Sequence, residues 1–103
     1  MKNDFALMMA LPSESKGLFE QENVEVHYSG IGKVNAAFKA FEVIHKTGCK
    51  TLLNLGSAGS SFFNAHDLIE VNRFVQRDMD VSPLGFEVGV TPMDQDYPSA
   101  IDL

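Results

Sequence analysis

The sequence predicts an α/β fold in which a sheet is flanked by helices. Three features predict it: a continuously apolar run near the N-terminus, one strongly amphipathic helix, and a second apolar run that enters a glycine-rich turn. The 103 residues are enough for one domain and too few for two.

Phe5-Ala6-Leu7-Met8-Met9-Ala10-Leu11 has no polar interruption, as expected of a strand covered on both faces in a parallel sheet. Pro12-Ser13-Glu14-Ser15 punctuates it, with Ser13 as the expected N-cap of a short helix carrying Leu18 and Phe19 inward. From Asn23 to Ser29 the chain alternates, with Val24, Val26 and Tyr28 on one face and Glu25 and His27 on the other. This is the pattern of a half-buried strand, ended by Gly30-Ile31-Gly32.

Between Lys33 and Thr47 the residues Val34, Ala37, Phe38, Phe41 and Ile44 recur at helical steps, with Lys39, Glu42 and Lys46 largely opposite. Gly48 stands where a left-handed C-terminal cap belongs. Thr51-Leu52-Leu53-Asn54-Leu55 then predicts a strand running into Gly56-Ser57-Ala58-Gly59. Leu68 to Val75 predicts one more strand. Gln76 to Leu103, broken by Pro83, Gly85, Gly89, Pro92 and Pro98, reads as irregular loop.

Composition narrows the function. Eight Lys and Arg against fourteen Asp and Glu give a net charge of −6, which repels phosphate backbones and anionic lipid, so no nucleic-acid partner is expected. No apolar run reaches the roughly 20 residues that span a bilayer, so no membrane is expected either. A single cysteine, Cys49, and an N-terminus without a secretion signal predict a cytoplasmic setting. His27, His45 and His66 lack ligand spacing, and the acidic residues Asp78, Asp80, Asp94 and Asp96 miss calcium-loop spacing, so no metal site is expected. Cys49 is expected to pack, not to react.

Glycine-rich turns after strands let backbone N–H groups approach an anion or a sugar. The first turn, Gly30-Ile31-Gly32-Lys33-Val34-Asn35, fails the dinucleotide fingerprint because Asn35 occupies the place of its third glycine. It fails the phosphate-loop pattern as well. Gly56-Ser57-Ala58-Gly59 follows a buried strand and offers N–H groups and a hydroxyl where α/β sheets bind ligands. Leu55 excludes a serine nucleophile elbow, which needs glycine there.

Four segments stand out together: Ala10-Leu11-Pro12-Ser13-Glu14, Ser29-Gly30-Ile31-Gly32-Lys33-Val34-Asn35-Ala36-Ala37, Asn54-Leu55-Gly56-Ser57-Ala58-Gly59, and Asp78-Met79-Asp80-Val81 with Gly85-Phe86-Glu87-Val88-Gly89. In this order they resemble the N-terminal half of the nucleoside phosphorylase superfamily, and its methylthioadenosine/S-adenosylhomocysteine nucleosidase branch most closely. The resemblance implies a phosphorylase-like mixed sheet with flanking helices. Because family members run to roughly twice this length as single domains, residues 1–103 are expected to form one partial domain, the N-terminal half of the fold.

The resemblance also implies roles. Glu14 matches the acidic residue after the first strand that positions or activates the attacking water in the nucleosidases. Ser57, Ala58 and Gly59 match the turn lining the ribose and water site, and Leu11 and Ile31 match apolar contacts around the ribose and its 5′ substituent. Leu84 and Phe86 match the segment that, in dimeric relatives, walls the neighbouring subunit's site, so a homo-oligomer is implied. The family's second acid, which protonates the purine, and the Glu that grips the ribose hydroxyls come from the second half of the fold. No metal or organic cofactor is implied.

The expected function is hydrolysis of the N-glycosidic bond of an adenosine-type nucleoside or thionucleoside, a small-molecule substrate. A carboxylate beside an oxocarbenium-like ribose both polarises water and stabilises the developing positive charge. One alternative is a truncated, catalytically silent binding or assembly module, in which Glu14 merely serves its helix dipole and Ser57 its turn. The other is a phosphate-dependent phosphorylase, disfavoured because Asn54 stands where phosphorylase relatives carry arginine.

Overall fold

Strand β1 (Phe5–Met9) is the middle of a three-stranded parallel sheet, with β2 (Val26–Tyr28) on one side and β3 (Thr51–Asn54) on the other. Leu7 faces Val26 across one ladder and Leu53 across the other, and Met8 likewise faces His27 and Asn54. A central parallel strand has no wet face, which explains the uninterrupted apolar run. Ala6, Leu7, Met8 and Met9 are all buried and, with Val43, form the apolar core. The computed structural model describes residues 4–93 and 100–103, in two units, Met1–Ser60 and Ser61–Leu103.

Two short helices follow β1: α1 (Pro12–Ser15) and α2 (Leu18–Gln21). The N-cap of α1 is Leu11 instead of the expected Ser13, because Pro12, lacking an N–H and preset in φ, takes the first helical position. Lys16 (φ 52°) and Gly17 (φ 73°) are both left-handed and separate the helices. Leu18 is 60% exposed, against the expected inward placement, while Phe19 is half-buried. β2 is shorter than the alternation predicts. Asn23 adopts φ 60°, and the Val24 N–H donates back to the Phe19 carbonyl, so the chain is still turning there.

α3 (Lys33–Thr47) occupies the predicted span and ends on left-handed Gly48, whose N–H donates to the Ile44 carbonyl. Its facing is a correction. Val43 is buried, and Ala36, Lys39, Ala40 and Thr47 on the same side are half-buried. The apolar stripe is exposed instead, with Val34 at 79%, Phe38 at 69% and Phe41 at 72%. The covered side of the helix is thus made mostly of small side chains. Glu42 pairs with Lys39 and Lys46 on the helix surface.

In the second unit, β4 (Arg73–Phe74) pairs antiparallel with β5 (Ile101–Asp102), and Ser82–Leu84 forms a 3₁₀ turn. The strand expected over Leu68 to Val75 is realised only at Arg73–Phe74, and Leu68 stands 86% exposed. An apolar alternation becomes a strand only where a ladder satisfies its backbone. Among the described residues of Gln76 to Leu103 the irregular reading otherwise holds, and Asp94, Asp96 and Pro98 lie outside the described residues. Among the described residues no helix is long and apolar enough to cross a membrane.

Candidate active site

β1 and β3 run parallel, so the segments leaving them emerge at the same edge of the sheet. Ligands of α/β sheets bind at that carboxyl-terminal edge. Leu11 is extended (φ −131°, ψ 144°) before Pro12 opens α1, which places Glu14 at the third helical position. There the chain closes on itself: the Glu14 N–H donates to the Leu11 carbonyl at 3.0 Å, and the Leu11 N–H donates to Glu14 Oε1 at 3.0 Å. The second half of this exchange is the acidic arm of a capping box.

Oε2 is thereby turned toward the loop after β3. Both the Ser57 N–H and the Ser57 hydroxyl donate to it, each at 2.9 Å. Gly56 lies close beneath, where an added Cβ would stand 3.4 Å from Oε2. A half-buried carboxylate that accepts this many hydrogen bonds is favoured in its ionised form. The Ser57 backbone N–H is the largest cause holding Glu14 below the usual carboxylate range, followed by the Ser57 hydroxyl and the Leu11 N–H.

Glu14, Ser57 and the Leu11 backbone therefore form one hydrogen-bonded group across 43 residues of chain. Ala58 and Gly59 continue the same loop and are exposed. Ile31 is 71% exposed in the turn between β2 and α3, where its carbonyl accepts the Asn35 side-chain N–H at 2.8 Å. Leu84, 74% exposed at the end of the 3₁₀ turn, and half-buried Phe86 belong to the second unit. Among the described residues no three His, Cys, Asp or Glu side chains gather as a metal ion would require.

Sequence reasoning missed a second polar group beside this one. Ser15, next to Glu14, is 1% exposed, and its hydroxyl lies 2.5 Å from the Tyr28 hydroxyl, which donates to Glu20 at 2.5 Å. The signal was present in Tyr28, a polar-tipped residue on an otherwise apolar strand face, since such a hydroxyl needs a partner when covered.

The profile of a family described as the phosphorylase superfamily matches residues 15–102. The chain belongs to the phosphorylase superfamily. Its superfamily match begins one residue past Glu14 and takes in the Ser57 turn and the segment holding Leu84 and Phe86. Over 79 residues, 75% of the chain, it is 34% identical to a Staphylococcus haemolyticus protein named 5′-methylthioadenosine/S-adenosylhomocysteine nucleosidase, covering 35% of that relative. A Geobacillus protein of the same name is 36% identical over 80 residues, 76% of the chain and 34% of the relative. One from Staphylococcus carnosus is 34% identical over 75% of the chain and 35% of the relative. The matched stretch thus spans about a third of the length of these curated relatives. No solved structure matches the chain at a significant level.

Proposed function

We propose that the chain carries the water-directing part of a nucleosidase that hydrolyses the N-glycosidic bond of an adenosine-type nucleoside or thionucleoside. The observation that carries this reading is the Glu14 carboxylate, held ionised by Ser57 and Leu11 at the ligand-binding edge of the sheet. The names of its relatives give the substrate class. Glu14 draws a proton from water as the water oxygen bonds to the anomeric carbon. The bond from that carbon to the purine nitrogen breaks, and the nitrogen takes a proton from an acid that the family resemblance places outside this stretch. Departure of the purine runs ahead of water attack, so the carboxylate, still ionised, stabilises the cationic ribose between the two. Ser57, Ala58 and Gly59 line the ribose, with Leu11 and Ile31 as its apolar contacts and Leu84 and Phe86 as a wall for a neighbouring copy. Both units belong to one partial phosphorylase-like domain, working in the cytoplasm without nucleic acid.

Self-association belongs to the same reading. Val34, Phe38, Phe41 and His45, preceded by Ile31, follow steps of three and four residues, the spacing of a helix-pairing seam. The Phe41 and His45 rings stack, 5.9 Å apart and 5° from parallel. Two copies of α3 laid antiparallel set Phe38 against Phe41, bring Ala37 to Ile44 on one flank, and bring Asn35 to Glu42 on the other. This self-complementarity is what a two-fold interface needs, so the occupant of the stripe is a second copy. The exposed apolar side chains amount to about 600 Å² per copy, near the roughly 800 Å² that a standard interface buries on each side.

The deciding experiment incubates the chain with 5′-methylthioadenosine or S-adenosylhomocysteine and follows free adenine by chromatography, with and without phosphate. Phosphate-independent release that Glu14→Gln removes is the expected result. Release that survives Glu14→Gln refutes the assignment. No release from either substrate leaves the second reading, a catalytically silent assembly module, which the uncovered stripe of α3 favours.

A further inference from the structure

We propose that Tyr28 is a positioning residue for Glu14: its hydroxyl, held between buried Ser15 and the Glu20 carboxylate, clamps α1 to the sheet and so keeps the Glu14 carboxylate on Ser57. The inference rests on the reading of Glu14 given above. It begins from the weakness of α1. A four-residue helix cannot sustain itself, since a first turn fixes several dihedrals for a single hydrogen bond. Nor does α2 continue it, because left-handed Lys16 and Gly17 intervene. Something outside α1 must fix the direction in which Glu14 leaves β1.

Beside the Glu14–Ser57 bonds themselves, Ser15 supplies such a contact. It adjoins Glu14 and is the one buried polar side chain among the described residues. Tyr28 is a firm anchor for it. Tyr28 pairs with Met9 in the parallel ladder, and the next two N–H groups, of Ser29 and Gly30, donate to the Met9 and Ala10 carbonyls at 2.9 Å each. The anchor is thus joined to the backbone that leads directly into α1.

Counting protons sets the direction of the chain. Tyr28 donates its single hydrogen to the Glu20 carboxyl oxygen, at 2.5 Å. The Tyr28 oxygen must then accept from Ser15, at 2.5 Å, and the Ser15 hydrogen is used there. The Pro12 carbonyl, 3.2 Å from the Ser15 oxygen, is served instead by the Lys16 N–H at 2.9 Å, and the Gly17 N–H donates to the Ser15 oxygen at 3.4 Å. Every donor is used once. Removing the Tyr28 hydroxyl frees the Ser15 hydrogen to fall back on Pro12, so α1 satisfies itself and loses its tie to β2. The phenol suits a permanent donor, because its hydrogen bond to Glu20 pushes its pKa up, against a smaller opposing effect of Ser15.

The test follows the Glu14 carboxyl carbon by NMR through an acid titration of the full chain, in wild type and in Tyr28→Phe. The wild-type midpoint is expected below the ordinary glutamate value of about 4.3, and Tyr28→Phe is expected to raise it by roughly half a pH unit or more. The Ser57 amide should lose its matching shift change. Glu20→Ala, a surface change that leaves the tyrosine ring in place, should move the midpoint in the same direction and stands in if Tyr28→Phe fails to fold. Unchanged midpoints in folded variants would overturn the proposal, because a purely structural tyrosine would lower stability and leave the carboxyl alone. Adenine release is measured in parallel, with a fall in kcat of about tenfold at nearly constant KM expected for Tyr28→Phe. If the wild type releases no adenine, the nucleosidase reading fails while the titration still decides the positioning role.

Discussion

Replacing Phe38 by alanine should dissociate the pair of chains proposed to meet along α3. Phe38 is 69% exposed in the single chain, leaving about 140 Å² of apolar surface to be covered by a partner. At about 25 cal/mol per Å², and with roughly half to two thirds of that area covered, each copy contributes about 2 kcal/mol. A two-fold interface contains the residue twice, so one substitution removes about 4 kcal/mol, or roughly a thousandfold in the dimer dissociation constant. The same change should alter the stability of the single chain by no more than about 0.5 kcal/mol, since the ring is not in its core. Sedimentation velocity from about 1 to 100 μM, roughly the range in which such an interface dissociates, reads the effect. A wild type that sediments as a monodisperse monomer throughout, or a Phe38→Ala variant that associates as tightly as wild type, refutes the reasoning.

Ser57→Ala removes one of the two donors to Glu14 Oε2 and keeps the backbone N–H, so the Glu14 midpoint should rise yet remain below the ordinary carboxylate value; an unmoved midpoint would mean that the hydroxyl does not reach it in solution. Leu7→Ala empties a position that is 3% exposed and packed between two ladders, and should cost about 3 kcal/mol by denaturant unfolding; a loss below about 1 kcal/mol would move the core elsewhere. Glu14, Glu42 and Asp80 are all held below their ordinary values, by Ser57, by Lys46 with Lys39, and by Ser82 respectively. Their contribution to stability is therefore full above the unfolded carboxylate range of about 4 and fades as pH falls through the lowered values, so Glu14→Gln should flatten the acid limb of a pH-stability curve. Tyr28 is raised, so its contribution is full below about pH 10 and fades as pH climbs through the raised value; Tyr28→Phe should flatten the alkaline limb.

The order of elements was legible wherever a local pattern and its packing agree. The run from Phe5 is apolar because both faces of β1 are covered, Ala6 to Met9 all being buried, and α3 begins and ends where its period and Gly48 indicate. The facing of α3 was not legible, because a hydrophobic stripe indicates what must be covered and not what covers it. Ala36, Ala40 and Val43, small and inconspicuous in the pattern, fit the sheet more closely than the phenylalanines do. Leu68 to Val75 failed for a related reason: alternation describes a strand's faces, while its existence depends on a partner ladder. At the site, residue type and resemblance singled out Glu14 and Ser57, but nothing local states that residues 43 positions apart share a carboxylate. That follows from the parallel register of β1 with β3, and the clamp of Ser15 by Tyr28 follows from the register of β1 with β2.

On the proposed reading, the same geometry favours water over phosphate as the acceptor. A phosphate site at the edge of a parallel sheet needs unspent N–H groups and a positive charge. The Ser57 and Leu11 N–H groups are already donated to Glu14, and the carboxylate they hold is negative. An incoming dianion would have to displace Glu14 to reach those donors, and would meet like charge until it did. A water molecule brings no charge to be repelled, and Glu14, its pKa held low by those same donors, stays an acceptor at neutral pH. Had Asn54 been an arginine, its charge would have stood on β3 three residues before Ser57, and the balance between the two acceptors would have to be argued afresh. As the residues stand, the loop after β3 supplies hydrogen bonds to a carboxylate that can take a proton, and the nucleophile that this arrangement suits is neutral.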